Sequence, residues 1–358
     1  LADDIVDGND PVVLQGGRTA PKRGGTRTGH AGMQNAISLI GRRAVLGTAL
    51  ALPFAGAARA FTDRPVRLLL GFPPGTAPDT VARILADGLR EPWPAGVVVE
   101  NRTGAGGHIA APEVARAAPD GTTLLLGELG TLAMAPSTHA RLTFDPARDF
   151  APIAEVASIG FAFVVPAALP VTDMAGYIAW ARAQSQVFMG TFGAGTPGHF
   201  GASLLASGAG ITAESVHFRN TGEAMSAILG GNVQGMFGTI ALVAPHVQAG
   251  RLKALAVTTT EPAAQLPGVP TVGQIGRPDL AFRSWFGVVA PAATPEPVQA
   301  AIEAGIRRAL AQSAPRTRLQ DAGFRVAEGG RTEFAALIRA ETSRWAEVVR
   351  ATGFRAIE

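Results

Sequence analysis

The chain has 358 residues, 47% hydrophobic and 16% charged, with 44 Gly, 26 Pro and no Cys. The lack of cysteine excludes disulfide scaffolds, thiolate-ligated metal sites, thiol nucleophiles and lipid anchoring through an N-terminal Cys. Abundant apolar residues with little charge exclude a disordered chain, because enough surface can be buried to offset the entropy of ordering.

The formal net charge of +3 resides in the first 60 residues, which carry 7 Lys+Arg against 4 Asp+Glu and leave 24 of each for residues 61–358. A neutral body lacks the electrostatic footprint of a nucleic-acid binder. Residues 42–60 read RRAVLGTALALPFAGAARA: an arginine pair, an uncharged stretch too short to span a membrane, and Ala58 and Ala60 flanking Arg59. This is the pattern of an export signal cleaved after Ala60. The segment around Arg42 and Arg43 resembles a twin-arginine signal, with ordinary secretion as the alternative. The signal occupies residues 33–60 if translation starts at Met33. Residues 1–32, polar and without hydrophobic period, are then expected to be an unstructured upstream artefact of start-site choice. The expected compartment is the periplasm.

In residues 61–358, continuous apolar runs predict strands at Val66–Leu70, Val97–Val99, Thr123–Leu126, Ile159–Val165, Val187–Phe192, Val216–Phe218, Val233–Phe237, Leu252–Val257 and Trp285–Ala290. Helical periods lie between most of them. Val81, Ile84, Leu85 and Leu89 share a face of Asp79–Arg90; Val298, Ile302, Ile306 and Leu310 recur every four residues; Phe334 to Val349 form the last helix. Alternating strands and helices predict an α/β fold with a mostly parallel sheet covered on both faces. Two such lobes fit the length. Apolar runs ending in proline place the crossings near Ile159–Pro166 and Ser284–Pro291, giving lobe 1 as 61–160 plus 288–358 and lobe 2 as 161–287. The ligand cleft is expected between the lobes, at the C-terminal ends of strands.

Two loops stand out there. Gly71-Phe72-Pro73-Pro74-Gly75-Thr76-Ala77-Pro78-Asp79 joins a buried strand to an amphipathic helix, and its glycines and helix-start amides suit an anion. Asp79 reads better as a helix cap than as a ligand contact. Gly193-Ala194-Gly195-Thr196-Pro197-Gly198-His199 matches G-x-G-x-x-G, yet Pro197 lacks an amide and no acidic residue ends the next strand to grip a ribose. A second small-anion loop, with Thr196 supplying a hydroxyl, fits better. Asn101–Gly107 and Gly127–Thr131 are further Gly-rich turns able to rim the cleft, and Arg102 reads as a structural ion-pair partner. No G-x-S-x-G, H-E-x-x-H or phosphate-binding G-x-x-x-x-G-K-[ST] occurs, and the six histidines show no close metal-ligand spacing. No catalytic site, metal or cofactor is expected.

Six ordered segments together resemble one family: FTDRPVRLLLGFPPGTAPDTVAR, VENRTGAGGHIAAPEVARAAPDGTTLLLGELGTLAMAP, LTFDPARDFAPIAEVA, GTFGAGTPGHFGASLL, VHFRNTGEAMSAILGGNVQGMF, and LPGVPTVGQIG with SWFGVVAPAATPEPV. They are similar to the Bug-type solute receptors of tripartite tricarboxylate transporters. The resemblance implies a type II periplasmic-binding-protein fold, two α/β lobes joined by two crossover segments. It also implies a small organic carboxylate held by backbone amides and hydroxyls, delivered by a monomeric receptor to membrane subunits of the transporter. Carried over, the ligand-binding residues are Phe72, Gly75, Thr76, Ala77 and Asp79 of the first loop, Thr131 of the third strand-end, and Ala194, Gly195, Thr196 and His199 of the second. The chain departs from the family at Phe218-Arg219-Asn220, where a tyrosine before the basic residue and a glycine after it are common, and at Gly238, where an aspartate is common. A dinucleotide-binding oxidoreductase using Gly193 to Gly198, and a sensor module acting on a membrane kinase, are the alternatives.

Overall fold

The computed structural model describes residues 63–103, 109–218 and 220–357. The expected upstream segment 1–32 and the export signal 33–60 with its cleavage site lie outside the described residues. A single 17-residue strand, β4 (Phe150–Pro166), organises the rest. Its apolar sequence FAPIAEVASIGFAFVVP demands cover on both faces and partners on both edges. Pro152, which has no N–H for a ladder, falls where the pairing register shifts between Pro152 and Ala154.

The first half of β4 closes a sheet ordered β2 (Val97–Asn101), β1 (Val66–Leu70), β3 (Thr123–Glu128), β9 (Arg283–Pro291), β4, with the two-residue β10 (Arg325–Val326) added at Ala157 and Ser158. Its second half joins another: β7 (Gly235–Thr239), then β5 (Val187–Thr191) and β6 (Ala213–His217), with β8 (Leu252–Val257) also on β4. All nine predicted strands are present. The outer strands pair in parallel, β1 with β2 and β3, β5 with β6 and β7, as expected. Every pair that includes β4 or β9 is antiparallel. The expectation of a mostly parallel arrangement therefore holds only for the outer strands, since β4 and β9 run against every neighbour they pair with. Ser284–Pro291, expected as the return crossing, lies within β9 and pairs in the first sheet from Arg283 onward.

Helices α1 (Ala77–Gly88), α9 (Glu296–Ala311) and α10 (Ser313–Asp321) bury Val81, Leu85, Ile302, Ile306 and Leu319 with Val66, Leu68 and Leu70 on one face of the first sheet. Helix α2 (Ala110–Ala115), a π-helical turn (Gly130–Met134), the short α3 (Ala135–Thr138) and α4 (Pro146–Asp149), and α11 (Arg331–Ala351) accompany the other face. On the second sheet, α5 (Met174–Arg182) and α6 (Pro197–Ala209) oppose α7 (Thr221–Leu229) and α8 (Ile240–Gln248). One core is shared by the two sheets: Trp285 meets Phe334, and Trp345 of α11 meets Phe200 and Phe282, which in turn meets Phe237.

The end of the β4–β9 ladder is pinned by a side chain. Gly160 of β4 pairs with Arg283 of β9, and the buried Thr258 hydroxyl staples the residues next to them, accepting from Phe161 N at 3.0 Å and donating to Phe282 O at 2.6 Å. Thr258→Val keeps the shape but leaves two buried backbone groups short of a partner. It is expected to lower unfolding free energy by about 2 kcal/mol, read as a lower urea midpoint at unchanged slope.

Candidate ligand-binding site

The two singled-out loops are built to one template. Gly75 (φ 80°) and Gly195 (φ 73°) take a conformation that favours glycine, and each is followed by a threonine N-cap and a proline in the first helical turn. Gly75 N donates to Asp79 Oδ2 at 2.8 Å, and Gly195 N donates to His199 Nδ1 at 3.1 Å. The hydroxyls match too, Thr76 donating to Pro73 O at 2.7 Å and Thr196 to Gly193 O at 2.9 Å. In each loop the side chain four residues on fixes the glycine amide. The first-turn amides of α1 and α6 are left without intrahelical acceptors, at the positive ends of the helix dipoles.

The cap position expected of Asp79 is held by Thr76; Asp79 lies in the first turn and braces the loop by accepting from the amide of Gly75. Its carboxylate also accepts from Arg83 Nε at 2.9 Å and from Asn101 Nδ2 at 2.9 Å, and Asn101 Nδ2 holds Phe72 O as well. Burial alone would raise this carboxyl; the bonds from Arg83, Gly75 and Asn101 outweigh it and keep the group below the usual carboxylate range. Arg102 pairs with Glu100 and Glu113, the structural role expected for it, while residues 104–108 of the same turn lie outside the described residues.

The third strand-end lies next to both loops in structural terms. β3 neighbours β1 and ends in half-buried Glu128; after it come buried Thr131 in the π-helical turn and buried Thr138. A methyl group placed on Gly195 would sit 3.6 Å from Thr138 Cβ, 3.5 Å from Phe354 Cζ and 3.4 Å from Ile357 Cδ1. The first loop leaves β1 and the second touches Thr138, so both flank the segment from Glu128 to Thr138. The C-terminal segment seals this contact: Ile357 N donates to Thr138 O and Ala140 N to Ile357 O, while the Phe354 ring packs on His199 and Phe200. Gly75 and Ala194 remain exposed, and Phe72, Thr76, Ala77, Thr196 and His199 are half-buried. An apolar void among Val66, Leu85 and Trp93 and an open pocket of about 160 Å³ beside Glu155, Arg307 and Arg316 lie away from the two loops.

Sequence reasoning missed three participants. His217 ends β6 opposite Thr191, and its ring stands 4.7 Å from that of His199, edge-on. Aligned strand ends would have revealed it. Phe354 and Ile357 carry no local signal, since they reach the second loop only through the fold. At Gly238, where the family commonly has aspartate, an added Cβ would come within 2.5 Å of Val243 Cγ1, so this position has no room for that side chain without movement. Arg219 lies outside the described residues, and Asn220 caps α7 by accepting from Glu223 N. The second loop does not suit a dinucleotide, because β6 ends in His217 and its one acid, Glu214, bonds Gln186 from mid-strand. Among the described residues no group of three metal-ligating side chains is present.

His199 holds its loop only when Nδ1 is unprotonated. Burial, aided by His217, pushes it down to about 4. The unfolded chain binds this proton near the ordinary histidine value, so the contribution is complete above about pH 6.5 and lost as pH falls toward 4. Relative to His199→Gln, which keeps an acceptor and cannot titrate, the native chain is expected to lose on the order of 2 kcal/mol between pH 7 and 4 in urea denaturation. A pH-independent difference would refute the neutral-acceptor role.

Comparison with known proteins agrees with this architecture. A family model described as "Tripartite tricarboxylate transporter family receptor" matches residues 81–354. MatC from Rhodopseudomonas palustris, solved with bound malate, is 32% identical, with 80% of this chain and 99% of that one aligned at a TM-score of 0.70. The R. palustris protein Rpa4515, solved with adipate, is 28% identical over 82% and 99% of the two chains, TM-score 0.74. The periplasmic binding protein BugD is also 28% identical, over 82% and 99%, TM-score 0.71. These are binding proteins rather than enzymes, and the α/β periplasmic-binding-protein fold expected from the six segments is the fold found. The chain belongs to the tripartite tricarboxylate transporter receptor family, the Bug-type solute-binding proteins.

Proposed function

We propose that this receptor captures a small organic carboxylate between its first and second loops and presents it to the membrane subunits of a tripartite tricarboxylate-type transporter. The observation that carries the reading is the shared template of the two loops: each spends its glycine amide on an internal brace and so aims the first turn of a helix outward. The sheet of β1, β2 and β3 belongs to one lobe and that of β5, β6 and β7 to the other; β4, which pairs in both, supplies one crossing, and the residues leading into β9 supply the return. A ligand touching both loops stabilises the closed arrangement because it reaches all its partners only there. Each charge-assisted amide bond contributes roughly 1.5–3 kcal/mol, and a micromolar dissociation constant requires about 8 kcal/mol net, so three or four bonds suffice after ordering costs. An export signal ending at Ala60, as read from the sequence, supports a periplasmic site for this work.

Malate and adipate, the ligands of two solved relatives, are the first probes. Calorimetry is expected to give micromolar binding of at least one. Gly75 has nothing within 4 Å of an added Cβ, so Gly75→Ala costs only backbone strain, about 1–2 kcal/mol of stability, yet shifts the helix start. It is expected to weaken binding about tenfold or more while the fold persists. Unchanged affinity in that variant would remove the first loop from the site.

A further inference from the structure

Glu128 is a carboxyl group at the very place where a ligand carboxylate is expected, and no brace described above uses it. The β1–β3 ladder pairs Arg67 with Thr123, Leu68 with Leu124 and Leu69 with Leu125. Glu128 ends β3 three residues beyond the last of these pairs, at the end of the ladder where the first loop leaves β1. Along β3, side chains alternate between faces, so Glu128 shares the face of Leu124 and Leu126, the one against which Phe72 and Ala77 pack. On its other edge Glu128 pairs with Phe286 of β9.

Its carboxyl turns back onto the π-helical turn and accepts from the amides of Gly130 and Thr131. It lies so close over Gly130 that a Cβ there would collide with Oε1, so glycine at 130 is needed for the contact. Burial pushes the group up to about 7 against the pull of those two amides. Among the described residues none of the arginine or lysine ion pairs reaches it. The third strand-end thus offers an acceptor where the other two ends offer amides.

We propose that Glu128 determines which carboxylates are taken: its carboxyl fills the anion seat at the end of β3 and accepts a hydrogen bond from a hydroxyl or ammonium group on the ligand's carbon chain. This rests on the carboxylate-receptor reading. A second ligand carboxylate at that end would meet no free pair of amides, and against the ionised form of Glu128 it would face a like charge. A ligand whose carboxylate lies on the α1 and α6 termini and whose substituent donates to Glu128 satisfies every group. The acceptor missing at Gly238 of the second sheet is thereby supplied from the first.

Malate, aspartate and succinate differ only in bearing a hydroxyl, an ammonium or a hydrogen at one carbon, and calorimetry with these three tests the assignment. The native protein is expected to bind malate or aspartate at least about tenfold more tightly than succinate. In Glu128→Ala the preference should fall to within about threefold, with succinate affinity kept or improved. Glu128→Gln, which retains the size and an uncharged acceptor, should lose the aspartate preference more than the malate one and serves if the alanine variant does not fold. An undiminished preference in either folded variant would make Glu128 only a cap of the turn, as would native binding of succinate as tight as both others. If the native protein binds none of these three and no adipate, the carboxylate-receptor reading fails, and this one with it.

Discussion

Each of the two loops proposed to face the ligand depends on one bond, from the amide of a left-handed glycine to the side chain four residues later. Without it the glycine N–H would compete for any anion that approached, and the loop would have no reason to hold the helix start at a fixed angle. Asp79 does this with a carboxylate kept ionised by Arg83 and Asn101, and His199 does it with an imidazole kept neutral by burial and by His217. A charged brace and a neutral one serve the same geometry. The second brace adds no negative charge near the site, which matters where an anion is to be bound.

Behind the loops, rigidity comes from strands rather than from the loops themselves. β4 and β9 run antiparallel side by side from Phe150 and Pro291 to Gly160 and Arg283, and Thr258 ties the residues beyond that end. The aromatic chain from Trp285 and Phe334 through Trp345 to Phe200 carries one core from the first sheet to the second. The helix α11 that supplies Phe334 and Trp345 continues into the segment that sets Phe354 and Ile357 against the second loop. Any relative movement of the two sheets must therefore repack this shared core.

Much of the architecture was legible because burial on both faces of a strand leaves a continuous apolar run. Val66–Leu70 and Leu252–Val257 have the predicted bounds, and the other strands differ by a few residues at their ends or, for β4, by an entire first half. That half was missed because Pro152 and Glu155 interrupt the run, and both are accommodated by register shifts that only the partner strand reveals. Strand direction was misjudged for β4 and β9 since hydrophobicity does not encode polarity of pairing. In the site, the glycines, threonines and prolines announced the loop template directly. What Asp79 and His199 accept from was not legible, because an acidic or imidazole side chain near a helix start has several amides within reach. His217, Thr138, Phe354 and Ile357 come from distant sequence, and Glu128 was quoted within a turn but had no visible role until its carboxyl was placed over Gly130.

The central claim is that helix-start amides of both loops act on one guest. Amide nitrogen–proton NMR during titration with malate or adipate tests it most directly. The account predicts saturable shifts in both loops with one common dissociation constant, at Ala77 and Asp79 in the first and at Ala194, Thr196 and His199 in the second. Shifts confined to one loop, or two sets saturating at unrelated concentrations, would contradict it.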